Sequence, residues 1–171
     1  MGWDNQMPGD VLLNVNALFE KMIWQPGRAL ELMAGGQVQA GTMLDGASAH
    51  VLFRIGKMRS YFDSYIGQFA SAKGRARGRL QYYVFIKPAI QWWGYNAILQ
   101  GGVFAGKSDY YAGIQSKGQS PSLKRVTGTA DVGLVLVAGN VSLSFIQKEM
   151  SPLIHQVSDQ SIGNISLTFS W

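Results

Sequence analysis

From Val11 onward the chain alternates in hydropathy. Val11, Leu13, Val15, Ala17 and Phe19 fall on one parity, and Leu12, Asn14, Asn16, Leu18 and Glu20 on the other. Successive side chains of a strand face opposite sides, whereas a helix returns to one face every three or four residues, so this pattern predicts a β-strand. Gln25-Pro26-Gly27-Arg28 carries turn chemistry and predicts a reversal. Beyond it, Leu30, Leu32, Ala34, Val38 and Ala40 alternate with Glu31, Met33, Gln37 and Gln39, which completes a hairpin. After a second turn at Leu44-Asp45-Gly46, Ala47, Ala49, Val51, Phe53 and Ile55 oppose Ser48, His50, Leu52, Arg54 and Gly56.

The stretch from Tyr61 to Arg79 breaks the pattern and reads as a connection. Tyr82, Val84, Ile86, Ile90 and Trp92 then alternate with Tyr83, Phe85, Lys87 and Gln91, up to a turn at Gly94-Tyr95-Asn96 and a weaker segment over 97–106. Residues 107–125 are rich in Ser, Gly, Lys and Tyr and read as a loop. The last third is the most regular. Ala130, Val132, Leu134 and Leu136 oppose Thr127, Thr129 and Asp131, and Ala138-Gly139-Asn140 turns the chain. Val141, Leu143 and Phe145 oppose Ser142 and Ser144; after a loop over 151–161, Ile165, Leu167, Phe169 and Trp171 oppose Asn164, Ser166, Thr168 and Ser170. The expected fold is all-β and antiparallel, with seven strands, or eight if 97–106 counts, and no helix of substantial length.

Alternation alone does not separate a soluble sandwich from a membrane barrel. The polar parity carries the distinction. A water-exposed sheet face is dense in Lys, Glu, Arg and Asp, whereas here it holds Ser, Thr, Asn, Gln and Gly with isolated charges. That set suits the interior of a transmembrane β-barrel, where Glu20, Glu31, Arg54, Lys87 and Asp131 can pair. The apolar rows named above hold no charge, as a lipid-facing surface requires. Aromatic residues gather near segment ends, at Phe19, Trp24, Tyr82, Tyr83, Trp92, Trp93 and Trp171, the positions of an interfacial girdle.

Composition sharpens this picture. Only 15% of the 171 residues are charged, Gly numbers 21 and Pro 5, and no run approaches the ~20 apolar residues of a membrane helix, which excludes a helical membrane protein. Cysteine is absent, so disulfides, thiol nucleophiles and thiolate metal sites are excluded. The net charge of +5 is concentrated in Lys73-Gly74-Arg75-Ala76-Arg77-Gly78-Arg79. That run lacks the interleaved aromatics of a single-strand nucleic-acid surface, and reads as solvated or as a contact with lipid phosphates. Met1 to Gln6 has no basic and apolar leader pattern, which points to a piece of something longer or to a protein that stays inside.

With the strands placed, several segments resemble the outer-membrane lipid A 3'-O-deacylase family. Gly2-Trp3-Asp4-Asn5-Gln6 followed by Val15 to Lys21 is similar to the family's Gly-Trp-Asp-Asn-Gln stretch and its aromatic-Glu-basic strand. Ala47 to Gly56 resembles its Ala-x-Ala-Gly-x-x-x-Arg-x-Gly strand, departing at His50. Tyr83-Val84-Phe85 through Asn96-Ala97-Ile98-Leu99-Gln100-Gly101 resembles its long strand, and Asp131 to Trp171 its final hairpin and closing strand. The resemblance implies a Gram-negative outer-membrane barrel of about twelve strands that hydrolyses the ester of the 3'-linked acyl chains of lipid A, with calcium in the site. It also implies contact with lipopolysaccharide and with the barrel assembly machinery, which reads a closing strand such as Asn164–Trp171, and no nucleic-acid partner.

The family's catalytic residues lie upstream of the Gly-Trp-Asp-Asn-Gln stretch, so no catalytic, cofactor-binding or metal residue is carried onto this chain. Residues 1–171 are expected to form the C-terminal part of one barrel domain, as a truncated product, a fragment, or a chain completed by further strands. Seven strands cannot close a barrel of even strand number. The upstream frame is expected to encode a leader, more strands and a His-bearing loop. Candidate chemistry within the chain is sparse. Ser48 and His50 share a face and read as a plain lumen pair, ahead of a weak nucleophile–base dyad; His155 reads as a solvated loop residue; Asp4-Asn5-Gln6 offers fewer oxygens than the six to eight of calcium. Two further readings stay open: a non-catalytic outer-membrane barrel, and a soluble β protein binding RNA through 73–79. With Trp171 at the periplasmic side, seven strands start the opening motif on the outer side, and eight start it in the periplasm.

Overall fold

A computed structural model of the chain describes residues 11–62, 80–97, 104, 124–152 and 158–169. Seven strands make one antiparallel sheet in chain order: β1 (Asn14–Trp24), β2 (Leu30–Gly41), β3 (Leu44–Lys57), β4 (Gln81–Asn96), β5 (Val126–Ala138), β6 (Val141–Met150) and β7 (Gln160–Phe169). Every neighbour in the sheet is also a neighbour in sequence. β1 and β7 are the two edges and are not paired with each other.

The predicted strands are all present, and the differences lie at their ends. Leu44, Asp45 and Gly46 belong to β3, and the reversal falls at Thr42 and Met43. Side chains close it: Asn14 Oδ1 accepts from the backbone N–H of Met43 (3.1 Å) and of Leu44 (3.2 Å), and Asp45 Oδ1 accepts from Gly41 N–H (2.7 Å). Asp45 therefore has the hydrogen bond of a turn residue while lying in a strand, next to a bulge against β4. Gly94, Tyr95 and Asn96 likewise extend β4. β4 pairs directly with β5, and neither Ala97 nor Phe104 is in a strand, so 97–106 contributes no strand among the described residues. The turn at Gly139 is as expected: its φ of 59° is one a glycine adopts without a Cβ penalty.

An odd strand count puts the start of β1 and the end of β7 at opposite ends of the sheet. One end, termed the Asn14 end, carries the connections 42–43, 97–125 and 151–159. The Gly139 end carries 25–29, 58–80 and 139–140.

The two faces differ sharply. Large apolar side chains on one face are exposed along every strand, among them Val15, Phe19, Val51, Ile55, Val84, Ile86, Leu134, Phe145, Ile165 and Leu167. Buried apolar residues are only Met33, Leu52, Met58 and Ala97 among those described. Water would penalise such an arrangement, because each exposed Leu, Ile or Phe forgoes about 1.5–3 kcal/mol of burial. A hydrocarbon surround removes that penalty, so the outer face is built for lipid. On β4 the outward residues run from Tyr82 to Trp92, ten residues on. At ~3.4 Å per residue and a tilt near 45°, these rings stand about 24 Å apart along the membrane normal, matching the ~25 Å apolar band of an outer-membrane barrel.

The strands also correct the girdle. Tyr83 and Trp93 point to the inner face, where the Tyr83 ring lies under Arg54 and Trp93 Nε1 donates to Thr127 Oγ1 at 2.9 Å. Outward aromatics include Phe19, Trp24, Tyr82, Trp92, Phe145 and Phe169. Extending β1 and β6 brings Lys21, Gln147 and Glu149 onto the outward parity as well, so that parity does carry charge beyond the segments read from sequence.

Candidate functional site

The inner face carries a cluster of buried polar groups, Glu31, His50 and Arg54, toward the Gly139 end, whereas the buried Asn96 and Thr127 lie toward the Asn14 end. Glu20 on β1, Gly35 on β2 and His50 on β3 are successive partners across the sheet. Because Gly35 has no side chain, the His50 ring lies over β2; a Cβ there would meet the ring at 2.6 Å and the Phe19 carbonyl at 2.9 Å. His50 Nε2 thus reaches Glu20 Oε1 at 3.2 Å, and with a carboxylate accepting, Nε2 carries the proton. The Tyr61 hydroxyl, from the connection after β3, donates to Glu20 Oε2 at 3.1 Å.

A second knot adjoins the first. Glu31 is 1% exposed and Arg54 3% exposed, and Arg54 Nη1 donates to Glu31 Oε2 at 2.7 Å. Gln25, folding back from the β1–β2 turn, donates to the other Glu31 oxygen at 2.9 Å. The guanidinium lies 4.3 Å from the Tyr83 ring centroid and 5.6 Å from that of Tyr61, so Arg54 touches both knots. Burial of such a pair is sustained only by close geometry and by further hydrogen bonds to the carboxylate, and both are present. Arg54 Nε is buried without a hydrogen-bond partner.

Expected pairings are met in part. Glu20, Glu31 and Arg54 engage as anticipated, with His50 as an added partner. Lys87 lies opposite Asp131, but the ion-pair neighbour of Asp131 is Lys148, at 3.8 Å. Ser48 and His50 do share the inner face, yet no hydrogen bond joins them among the described residues: the imidazole turns toward β1, away from Ser48. Gln25 and Tyr61 join these knots, Tyr83 does so instead of serving the girdle, and Lys148 takes the place of Lys87. Their roles follow from register, which a single sequence does not display.

As chemistry, the cluster holds a protonated imidazole nitrogen on a carboxylate, with no hydroxyl nucleophile bonded to the ring. It fastens four strands, β4 through the Tyr83 ring, and the start of the 58–80 connection to one another. Among the described residues no group of three or more His, Cys, Asp or Glu is placed to hold a metal ion. Asp4-Asn5-Gln6, Lys73 to Arg79, His155 and Trp171 lie outside the described residues.

None of the functionally curated sequences matches this chain. Among solved structures it is similar to LpxR from Salmonella typhimurium, with a TM-score of 0.69 and 15% sequence identity, over 99% of this chain and 55% of that one. At that identity the likeness shows the fold, an outer-membrane β-barrel, and this chain spans about half of the relative's length. The family model for outer membrane protein LpxR matches residues 1–171, the whole sequence. This match and the lipid-adapted outer face agree on a protein of the outer membrane, which replaces the soluble reading. The chain belongs to the outer membrane protein LpxR family.

Proposed function

We propose that this chain is the C-terminal part of an outer-membrane lipid A deacylase, in which its seven strands form barrel wall and the hydrolytic groups come from residues outside it. The reaction is hydrolysis of the ester of the 3'-linked acyl chains of lipid A. The observation that carries this reading is the family match over all 171 residues. One feature supports the division of labour: the clustered inner-face groups Glu20, His50, Tyr61, Glu31, Arg54 and Gln25 bond to one another. Here Glu20, His50, Tyr61, Glu31 and Arg54 orient and stiffen the wall against which an active site is built. Calcium, implied by the family, is assigned no ligand in the described residues and no step here. Lipopolysaccharide is the substrate-bearing partner, and the barrel assembly machinery the insertion partner.

Mass spectrometry of lipid A from Gram-negative cells tests the reading. Cells expressing the whole reading frame that contains this chain should lose the mass of the 3'-linked acyl group, and cells expressing residues 1–171 alone should not. Unchanged lipid A with the whole frame, despite protein in the outer membrane, would instead establish a non-catalytic barrel.

A further inference from the structure

The register singles out one row of residues on the outer face. Lys21 lies opposite Ala34, and Ala34 opposite Val51. Val51 aligns with Pro88, since His50–Ala89 and Phe53–Ile86 flank them in one unbroken register. Pro88 lies opposite Ala130, Ala130 opposite Glu149, and Glu149 opposite Ser161. The row thus runs from a lysine, through apolar residues, to a glutamate. In an upright sheet it would lie level in the membrane; tilted strands make it climb. From β1 to β6 it spans about 24 Å, and at a tilt near 40° it rises about 15 Å, more than half of a ~25 Å band.

The neighbours of each charge agree on the direction. In β1 the apolar outward residues Val15, Ala17 and Phe19 lie on the Asn14 side of Lys21, and beyond it on the Gly139 side stands Trp24, an aromatic of the girdle. In β6 the apolar outward residues Val141, Leu143 and Phe145 lie on the Gly139 side of Glu149. The band therefore slants across the sheet, with Lys21 on its margin at the Gly139 end and Glu149 on the other margin. Lys57, outward and opposite Tyr82, lies on the same side of the band, six register positions nearer the Gly139 end than Lys21. Both lysines are exposed, and neither forms an ion pair with a described carboxylate. On the opposite margin Glu149 accepts from Ser161 Oγ at 2.8 Å.

We infer that Lys21 and Lys57 form a cationic margin that binds the phosphates of anionic phospholipids in the periplasmic leaflet. A lysine just inside the band extends its stem along apolar surface and brings the ammonium to headgroup depth, where a phosphate is its natural partner. The leaflet follows from topology. The short connections 25–29 and 139–140 and the end of β7 share the Gly139 end, and outer-membrane barrels place short turns in the periplasm; the long 58–80 connection and the two-residue 42–43 reversal at the Asn14 end are the exceptions. This site is separate from lipid A hydrolysis and does not depend on it.

The test is native mass spectrometry of the protein extracted from outer membranes in mild detergent and titrated with phosphatidylglycerol, phosphatidylethanolamine or lipopolysaccharide. Phosphatidylglycerol should bind more tightly than phosphatidylethanolamine. Lys21→Gln and Lys57→Gln should each weaken phosphatidylglycerol binding by about fivefold, the size expected of one lysine at an anionic surface. Lys21→Arg and Lys57→Arg should retain it. Unchanged phosphatidylglycerol binding in the double glutamine variant overturns the proposal, as does a loss that falls on lipopolysaccharide instead. Should a glutamine variant fail to accumulate, Phe19→Cys and Lys21→Cys in this cysteine-free chain can carry a nitroxide. The label at 21 should report headgroup depth and that at 19 hydrocarbon, and equal depths would sink the slanted margin.

Discussion

At the scale of single residues, Gly35 and Arg54 decide most about the inner face. The space above Gly35 is filled by the His50 ring, so Gly35→Ala must displace that ring and break its bond to Glu20. We expect a loss of about 1–3 kcal/mol, read from urea unfolding of the detergent-extracted protein. Arg54→Met leaves Glu31 buried and unpaired and should cost about 3–5 kcal/mol. Removing both charges, with Glu31→Met added, should recover much of that loss, because the isolated buried charge is what is expensive. A double variant no more stable than Arg54→Met alone would contradict this account. Glu31 and Arg54 were legible in the sequence as inward charges. Their actual partners were not, since Gln25, Tyr61 and Tyr83 are brought in by the turn, the connection and the neighbouring strand.

At the scale of elements, outward and inward parity should respond oppositely to charge. Ile86 is outward and near the middle of the band, so Ile86→Arg should destabilise by about 2–4 kcal/mol, whereas Ser144→Lys, inward, should be nearly neutral. The same unfolding measurement separates them, and equal costs would remove the distinction between the faces. Gly139→Ala should cost about 1 kcal/mol through the positive φ of the β5–β6 turn. Strand existence and parity were legible because two-residue periodicity survives in every segment. Strand ends were less so. Leu44-Asp45-Gly46 and Gly94-Tyr95-Asn96 read as turns by residue type, yet both are strand: the Asn14 and Asp45 side chains bond the backbone of the β2–β3 reversal, and Arg125 donates to the carbonyls of Trp93 and Gly94.

At the scale of the whole molecule, the two edges carry the main constraint. In hydrocarbon an unpaired edge is untenable, and on the proposed reading β1 and β7 pair with strands beyond the seven. Hydrogen exchange on the 171-residue chain in detergent should therefore show fast outward-edge amides in β1 and β7 against slow amides in β3 and β4. Uniform protection of all seven strands would mean that the edges close without added strands.

The sequence by itself determined the strands, the lipid-facing parity and the family resemblance, because alternation is local and a lipid face tolerates few charges. Tertiary structure decided what depends on neighbours brought from far along the chain. Register placed His50 over Gly35, gave Arg54 its cage, turned Tyr83 and Trp93 inward, and set Lys21 and Glu149 on opposite margins of a slanted band. None of these is written in any one segment, since each is a relation between strands whose relative position is fixed only when the sheet forms.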